Sequence, residues 1–365
     1  MPTVREEVTL TPFSDFDRAM LLRALALAEK GLWTTTPNPR VGCVLAQGEQ
    51  VVGEGWHQAA GAPHAEANAL AAAGEQGRGA TAYVTLEPCN HHGRTPPCAE
   101  ALVRAGVKRV VAAVLDPNPQ AEGGRATLAA AGIQFEHGLL EDEARELNIG
   151  FFSRMTRGRP WVRMKIAATL DGRTALADGR SQWITGPEAR QDGHRWRARA
   201  CAILTGIGTV KADDPRLTVR EVDTPRQPLR VVVDSRLEIS ASARILQGGG
   251  ALVFCAAEAK RDVPGAEIVA LPNPQGKVDL PAMLRELARR GVNELHVEAG
   301  FRLNGSLLRE GCVDELLIYF NPSLLGDGAQ GMFDLPPFAA LDARPRLAVR
   351  SVERVGEDLR ILARL

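Results

Sequence analysis

The chain lacks an excess of either charge. Its 44 Lys and Arg residues balance 44 Asp and Glu residues, so the formal net charge is +0. A global basic field for non-specific nucleic-acid or membrane-surface attachment is thereby excluded, although local basic clusters can still hold a phosphate. Long apolar runs are missing too. Nothing approaches the roughly 18–20 apolar residues of a membrane-spanning helix. Residues 1–14, which include Glu6 and Glu7, contain no apolar core of signal-peptide length. The chain therefore reads as soluble and cytoplasmic, with neither a membrane nor a nucleic acid as partner. Cysteine is sparse, at six residues: Cys43, Cys89, Cys98, Cys201, Cys255 and Cys312. Such usage indicates reduced thiols and potential metal ligands, not a disulfide framework. Repeats and low-complexity tracts are absent. No G-x-G-x-x-G follows a strand, which excludes the Rossmann fingerprint.

What is present is ordinary globular composition, 45% hydrophobic and 24% charged over 365 residues. That length suits two domains. Ser14 is placed to cap a helix that Gly31 ends, with Asp17 near its positive end. Strand patterns over 41–46, 51–55, 82–86, 109–115 and 133–136 alternate with helical patterns over 64–73, 98–105 and 124–131. A polar, basic connector at 154–160 then precedes a second alternation. Its strands are expected at 161–167, 202–205, 229–233, 251–255, 267–270, 294–297 and 315–319, and its helices at 187–200, 280–290 and 304–310. Residues 322–345 read as loop. The expected organisation is a tail at 1–13, one α/β domain at 14–152 and another at 153–365.

The first domain contains His64-Ala65-Glu66, then Pro88-Cys89, then Pro97-Cys98. One imidazole and two thiolates supply three ligands of a tetrahedral zinc and leave the fourth position for water. Glu66, two residues past the histidine, suits a proton shuttle between that water and a leaving ammonia. The general signature of zinc deaminases is H-x-E followed by P-C-x-x-C. Here the cysteines enclose eight residues, Asn90 to Pro97, instead of two. His91 and His92 in this loop are either a ligand or substrate contact, or simply solvated. Asn38, in the stiff Thr36-Pro37-Asn38-Pro39 turn, is aimed at a heterocycle edge or closes an Asx-turn. His57 is a substrate contact or a surface histidine.

The second domain has two glycine clusters after strands, Gly206-Ile207-Gly208-Thr209 and Gly300 to Ser306. Turns of this kind can present free backbone N–H groups to a nucleotide phosphate. Arg190, His194, Arg195, Arg197 and Arg199 form a basic run on one helix. They are either a solvated face or, together with Arg216 and Arg220, the source of a phosphate clamp. Trp183 is core packing or a ring-stacking wall.

These strings resemble the bifunctional deaminase/reductase family of riboflavin biosynthesis over residues 14–365. The resemblance rests on Pro37-Asn38-Pro39, His64-Ala65-Glu66, Thr85-Leu86-Glu87-Pro88-Cys89, His91-His92-Gly93-Arg94-Thr95-Pro96-Pro97-Cys98 and Asp116-Pro117-Asn118-Pro119. Further on it rests on Lys165, Leu170-Asp171-Gly172-Arg173, Trp183-Ile184-Thr185, Asp213-Asp214-Pro215 and Val297-Glu298-Ala299-Gly300. The long cysteine spacing belongs to that family's pattern.

The resemblance implies a cytidine-deaminase-like three-layer N-terminal domain and a dihydrofolate-reductase-like C-terminal domain. The first would hydrolyse the 2-amino group of 2,5-diamino-6-(5-phosphoribosylamino)pyrimidin-4(3H)-one, using one Zn2+. The second would reduce 5-amino-6-(5-phosphoribosylamino)uracil to the ribitylamino product with NADPH. It assigns His64, Cys89 and Cys98 to zinc and Glu66 to proton transfer. Ala167, Trp183, Thr209, Asp213, Ser235, Gly300, Asn304, Gly305 and Ser306 go to the cofactor. Ser181, Arg197, Leu217, Arg220 and Glu298 go to the substrate, beside the candidates Asn38 and His57. A homo-oligomer is expected. Asn68, where the family often has histidine, and Ala299, where it often has glycine, are the two departures.

Overall fold

The computed structural model describes residues 13–91, 96–121, 123–256 and 262–365. The chain divides into two units between Asn148 and Ile149.

In the first unit Ser14 and Asp17 form a reciprocal capping box, Ser14 Oγ accepting the Asp17 N–H and Asp17 Oδ2 accepting the Ser14 N–H. They start α1 (Asp15–Glu29). A hairpin follows, β1 (Gly42–Gln47) and β2 (Gln50–Trp56), then α2 (Ala65–Ala73), β3 (Thr81–Val84), α3 (Cys98–Ala105), β4 (Arg109–Ala112), α4 (Gly124–Ala130), β5 (Gln134–His137) and α5 (Glu141–Leu147). The sheet order is β2-β1-β3-β4-β5; the β1 pairings are antiparallel and β3-β4-β5 are parallel. On one face Cys43, Leu45, Ala82, Val84, Val110 and Ala112 bury themselves against Ala65, Ala69 and Ala73 of α2, with Ala99, Leu102 and Leu128 from α3 and α4. The alanine surface of α2 lets the helix lie close to the strands.

The other face takes α1. Tyr83 Oη donates to Asp17, and Arg109 bridges Asp17 and Glu136, each at 2.6 Å. Three layers result. Burial acts upward on the Asp17 carboxyl, but Arg109, Ser14 and Tyr83 outweigh it and hold the group down at about 2.

The second unit opens with α6 (Ile149–Arg157) and continues through β6 (Trp161–Thr169), β7 (Arg173–Ala175), α7 (Pro187–Arg199), β8 (Ala202–Gly206), α8 (Ile207–Asp213), β9 (Leu229–Val233), β10 (Ala251–Cys255), β11 (Ala266–Ala270), α9 (Leu280–Arg289), β12 (Glu294–Val297), α10 (Phe301–Arg309), β13 (Glu315–Asn321), β14 (Gln330–Gly331), β15 (Ala348–Val355) and β16 (Asp358–Arg364). Its nine-stranded sheet runs β11-β10-β9-β8-β12-β6-β13-β16-β15, parallel as far as β13 and antiparallel beyond. An apolar core of Val162, Met164, Leu204, Val231, Leu252, Leu295 and Val297 packs under α9 and α10. The face toward α7 sets buried charge beside an apolar patch in which Leu317 and Tyr319 meet Ala189 and Trp196. Buried Arg163 joins Glu294 at 3.0 Å and Glu315 at 2.6 Å, and Arg199 of α7 reaches Glu294 at 2.7 Å.

Two expectations need correction. The connector at 154–160 is mostly helix: Phe151 and Phe152 are buried, Arg154 donates to Asn293 and Arg157 pairs with Asp314. Its basic residues are partnered along one helix and do not mark a loop. Gly206 is the N-cap of α8 and Gly208-Thr209 lie in its first turn, so this glycine cluster stands at a strand-to-helix junction. The helix expected over 304–310 begins at Phe301, capped by Gly300. The terminal hairpin β15–β16 has no clear sequence signal. Its outer strand is exposed on both faces, so apolar and polar residues do not sort by period.

Candidate functional site

In the first unit, the hinge from β2 into α2 and the starts of two helices converge. His64 is the extended N-cap of α2, and its imidazole caps no backbone N–H. It is therefore available to face Cys89, which follows β3, and Cys98, the first residue of α3. His64 Nδ1 lies 3.5 Å from Cys89 Sγ and 3.3 Å from Cys98 Sγ. A tetrahedral zinc with Zn–S near 2.3 Å and Zn–N near 2.0–2.1 Å needs N···S edges of roughly 3.6 Å, so these three atoms fit that ion. Among the described residues, this trio is the group of His, Cys, Asp and Glu side chains arranged to hold a metal, its ligand atoms all within 4.8 Å.

Thiolate chemistry agrees. The hydrogen bond from Cys98, aided by His64, holds Cys89 down at about 4, while sharing that proton drives Cys98 upward. The bond to Cys89 raises His64. Glu66, on the first turn of α2, is 3% exposed. Burial and the neighbouring Cys89 push its carboxyl up to about 7, the range in which a carboxyl group can both take and return a proton.

His57 is buried, not a surface residue, and its ring stands edge-on to His64 with centroids 5.3 Å apart. Asn38 Nδ2 lies 3.1 Å from His57 Nε2, and His57 Nδ1 lies 3.1 Å from the Pro63 carbonyl. An Asn amide donating to Nε2 requires the proton on Nδ1, which donates to Pro63. Burial lowers the His57 pKa, in keeping with that neutral ring. Asn38 and His57 thus join the His64, Glu66, Cys89 and Cys98 cluster. His91 is exposed, and His92 lies outside the described residues.

In the second unit, candidate cofactor residues collect at the C-terminal ends of neighbouring parallel strands, where open α/β sheets bind ligands. Ser235 follows β9, Thr209 follows β8, Gly300 follows β12 and Ala167 lies near the end of β6. A Cβ on Gly300 would stand 3.7 Å from Thr209 Oγ1, so the two glycine clusters adjoin. The N-termini of α8 and α10 begin side by side there. Asp213 closes α8 and accepts from Gln182 at 2.9 Å, which brings the Ser181–Trp183 segment to that helix; Trp183 is 71% exposed. The three remaining residues of the second cluster behave differently. Asn304 and Gly305 are buried in the body of α10, where a Cβ on Gly305 would meet the Asp334 carbonyl at 2.1 Å. Ser306 Oγ donates to the Arg302 carbonyl. Gly305 therefore permits close packing and does not open a turn.

Arg197 and Glu298 face each other in a two-pronged pair, and Arg197 also donates to the Thr218 carbonyl at 3.1 Å. Burial works against the Glu298 charge, but Arg197 outweighs it and keeps the carboxyl well below its usual range. Arg199 is committed to Glu294, Arg190 lies over the Trp183 ring, and only Arg195 of the basic run is exposed. Arg220 is exposed, with its N–H on His194 Nδ1 at 3.3 Å. Leu217 is buried at φ 49, a left-handed conformation that a leucine rarely adopts. Lys165, between Arg197 and Glu298 in charge terms, has its pKa lowered by burial. Its sequence signal is a lone lysine on a strand otherwise written as core.

Residues 14–114 match the cytidine and deoxycytidylate deaminase zinc-binding region, and residues 160–361 match the RibD C-terminal domain. Riboflavin biosynthesis protein RibD of Escherichia coli is 48% identical over 94% of this chain and 98% of its own length. Among solved structures, Acinetobacter baumannii RibD is 43% identical, with a TM-score of 0.90, covering 96% of this chain and 98% of that one. A Thermotoga maritima diaminohydroxyphosphoribosylaminopyrimidine deaminase/5-amino-6-(5-phosphoribosylamino)uracil reductase is 34% identical, with a TM-score of 0.87 and the same coverage. Two units of this kind on one chain place the protein in the family of bifunctional, zinc- and NADPH-dependent deaminase/reductases of riboflavin biosynthesis.

Proposed function

We propose that His64, Cys89 and Cys98 hold the zinc and Glu66 moves the proton in deamination of the diaminopyrimidine, and that the strand ends of the second unit hold NADPH for the reduction that follows. The observation that carries this reading is the His64 Nδ1, Cys89 Sγ and Cys98 Sγ cluster with a buried Glu66 beside it. Zinc in that cluster supplies a water acidic enough to act as nucleophile near neutral pH. Glu66 takes a proton from the attacking water on a carboxylate oxygen and passes it to the departing amino nitrogen, so water enters and ammonia leaves. Neutral His57, fixed by Pro63, accepts from Asn38 and positions its amide, and Asn38 offers its remaining polar atoms to the pyrimidine.

In the second unit Thr209, Ser235 and Gly300 line the cofactor side. NADPH supplies the hydride, and the chain orients the sugar against it and excludes water. Arg197 and Glu298, already locked together, offer the substrate a rigid charged edge, and this reading also gives Ser181, Leu217 and Arg220 to the substrate. Asp213, Trp183 and Ala167 belong to the cofactor in this reading, and Asn304, Gly305 and Ser306 act through the packing of α10. No helix among the described residues is long and apolar enough to cross a membrane. We place the enzyme in the cytoplasm as a homo-oligomer acting on small phosphoribosylaminopyrimidines.

Incubation of the purified protein with the diaminopyrimidine, followed by mass analysis, tests both halves. Replacement of NH₂ by OH adds about one mass unit without NADPH, and two hydrogens add about two more with it. An unchanged mass without NADPH refutes the first assignment. A mass that stops after the first gain refutes the second.

A further inference from the structure

The geometry points to Glu87 as a positioning residue for the turn that carries Cys89. Glu87 lies two residues before Cys89 and is buried, at 9% exposure. Its Oε1 accepts the backbone N–H of Arg125 at 3.0 Å and its Oε2 accepts that of Asp116 at 3.4 Å. One carboxylate thus ties the Cys89 turn both to the segment that follows β4 and to the first turn of α4. Its own N–H donates to the Val114 carbonyl at 2.9 Å.

The residue on the other side of Cys89 repeats the arrangement. The Asn90 N–H donates to the Ala121 carbonyl at 3.3 Å, and Asn90 Oδ1 accepts from Thr127 Oγ1 at 3.0 Å. Between them, a Cβ on Gly124 would stand 1.8 Å from the Pro88 carbonyl oxygen, so the start of α4 reaches the turn only because position 124 is glycine. Residues 87, 88 and 90 are therefore docked on 114–127, while the sulfur of Cys89 points at His64.

A carboxylate suits two converging N–H donors because it offers two acceptor oxygens and adds charge to both bonds. A glutamine at 87 would turn an amide N–H₂ toward one of those donors. Ligand geometry depends on groups one step removed from the ion, and their loss typically costs 10–100-fold in metal affinity. The inference rests on Cys89 being a zinc ligand, and it makes Glu87 the residue that keeps Cys89 in place.

The test uses the full chain loaded with zinc, and separately with Co2+. Glu87→Ala should release zinc to a chromophoric chelator about 10-fold faster than the parent. Glu87→Gln should fall between the two. In both variants the thiolate-to-cobalt absorption should shift, which a merely structural defect leaving the site intact would not produce. Zinc release and cobalt spectra matching the parent in the folded Glu87→Gln protein overturn the proposal, whether or not Glu87→Ala folds. The ligand reading fails separately: full zinc content in Cys89→Ser would refute it, whatever the Glu87 variants do.

Discussion

Glu66 combines two properties that act in the same direction: it is buried, and it lies beside a thiolate. Both disfavour its charge, and the resulting proton affinity is what a shuttle needs. Glu66→Gln preserves volume and leaves His64, Cys89 and Cys98 untouched. It should retain zinc by metal analysis, lose deaminase turnover by at least about 100-fold, and keep NADPH-dependent reduction of the deaminated substrate. Retained deamination would remove Glu66 from the proton path. Cys98→Ser should lower the zinc content, and an unchanged metal stoichiometry would move the third ligand to His91 or His92.

Asn68, one of the two departures from the family pattern, has a local explanation. Its amide donates to the Trp56 carbonyl at 2.9 Å, fastening α2 to the end of β2 behind His64. Residue types and order made the metal trio legible in the sequence. Nothing in the sequence said that His57 would be buried or that Arg197 would be held by Glu298, because a side chain's partner depends on which strands become neighbours.

At the scale of elements, α1 shows how a local signal acquires a tertiary role. Its capping box can be read from Ser14 and Asp17 alone, but Asp17 also receives Tyr83 and Arg109 from two strands. Its pKa is depressed from 3.8 to about 2, so its stabilising contribution is fully present above the unfolded value and is lost as pH falls through about 2. Asp17→Asn should therefore lower the melting temperature at neutral pH, and the gap to the parent should close as pH falls from about 4 to about 2. A gap that persists unchanged at pH 2 would mean that packing, not charge, is what the aspartate contributes.

The strand Ala251–Cys255 was legible because both faces of a parallel sheet are covered and the apolar run is continuous. Helices α6 and α8 were not. The polar face of α6 resembles a linker, and the glycines of α8 resemble a turn until their neighbours are known.

Over the whole molecule, each proposed site is assembled from one unit alone, the metal trio before Asn148 and the cofactor strand ends after Ile149. Each unit should then work when the other is disabled. Asp213→Ala should weaken NADPH-dependent reduction and spare deamination. An equimolar mixture of the Glu66→Gln and Asp213→Ala proteins should convert the diaminopyrimidine to the reduced product, followed by mass analysis. Failure of that mixture, with each remaining single activity intact, would show that the intermediate does not pass between chains.

By itself the sequence determined the two-part α/β plan, the metal-ligating residue types with Glu66 beside them, and the absence of a global charge field, since these depend on composition, period and spacing along the chain. Only the tertiary structure decided that Glu87 and Gly124 seat the Cys89 turn, that the Gly300 and Gly206 helix starts adjoin, and that the basic helix α7 lies over buried carboxylates. Those facts depend on contacts between residues far apart in the chain, and sheet order, not spacing along the sequence, brings them together.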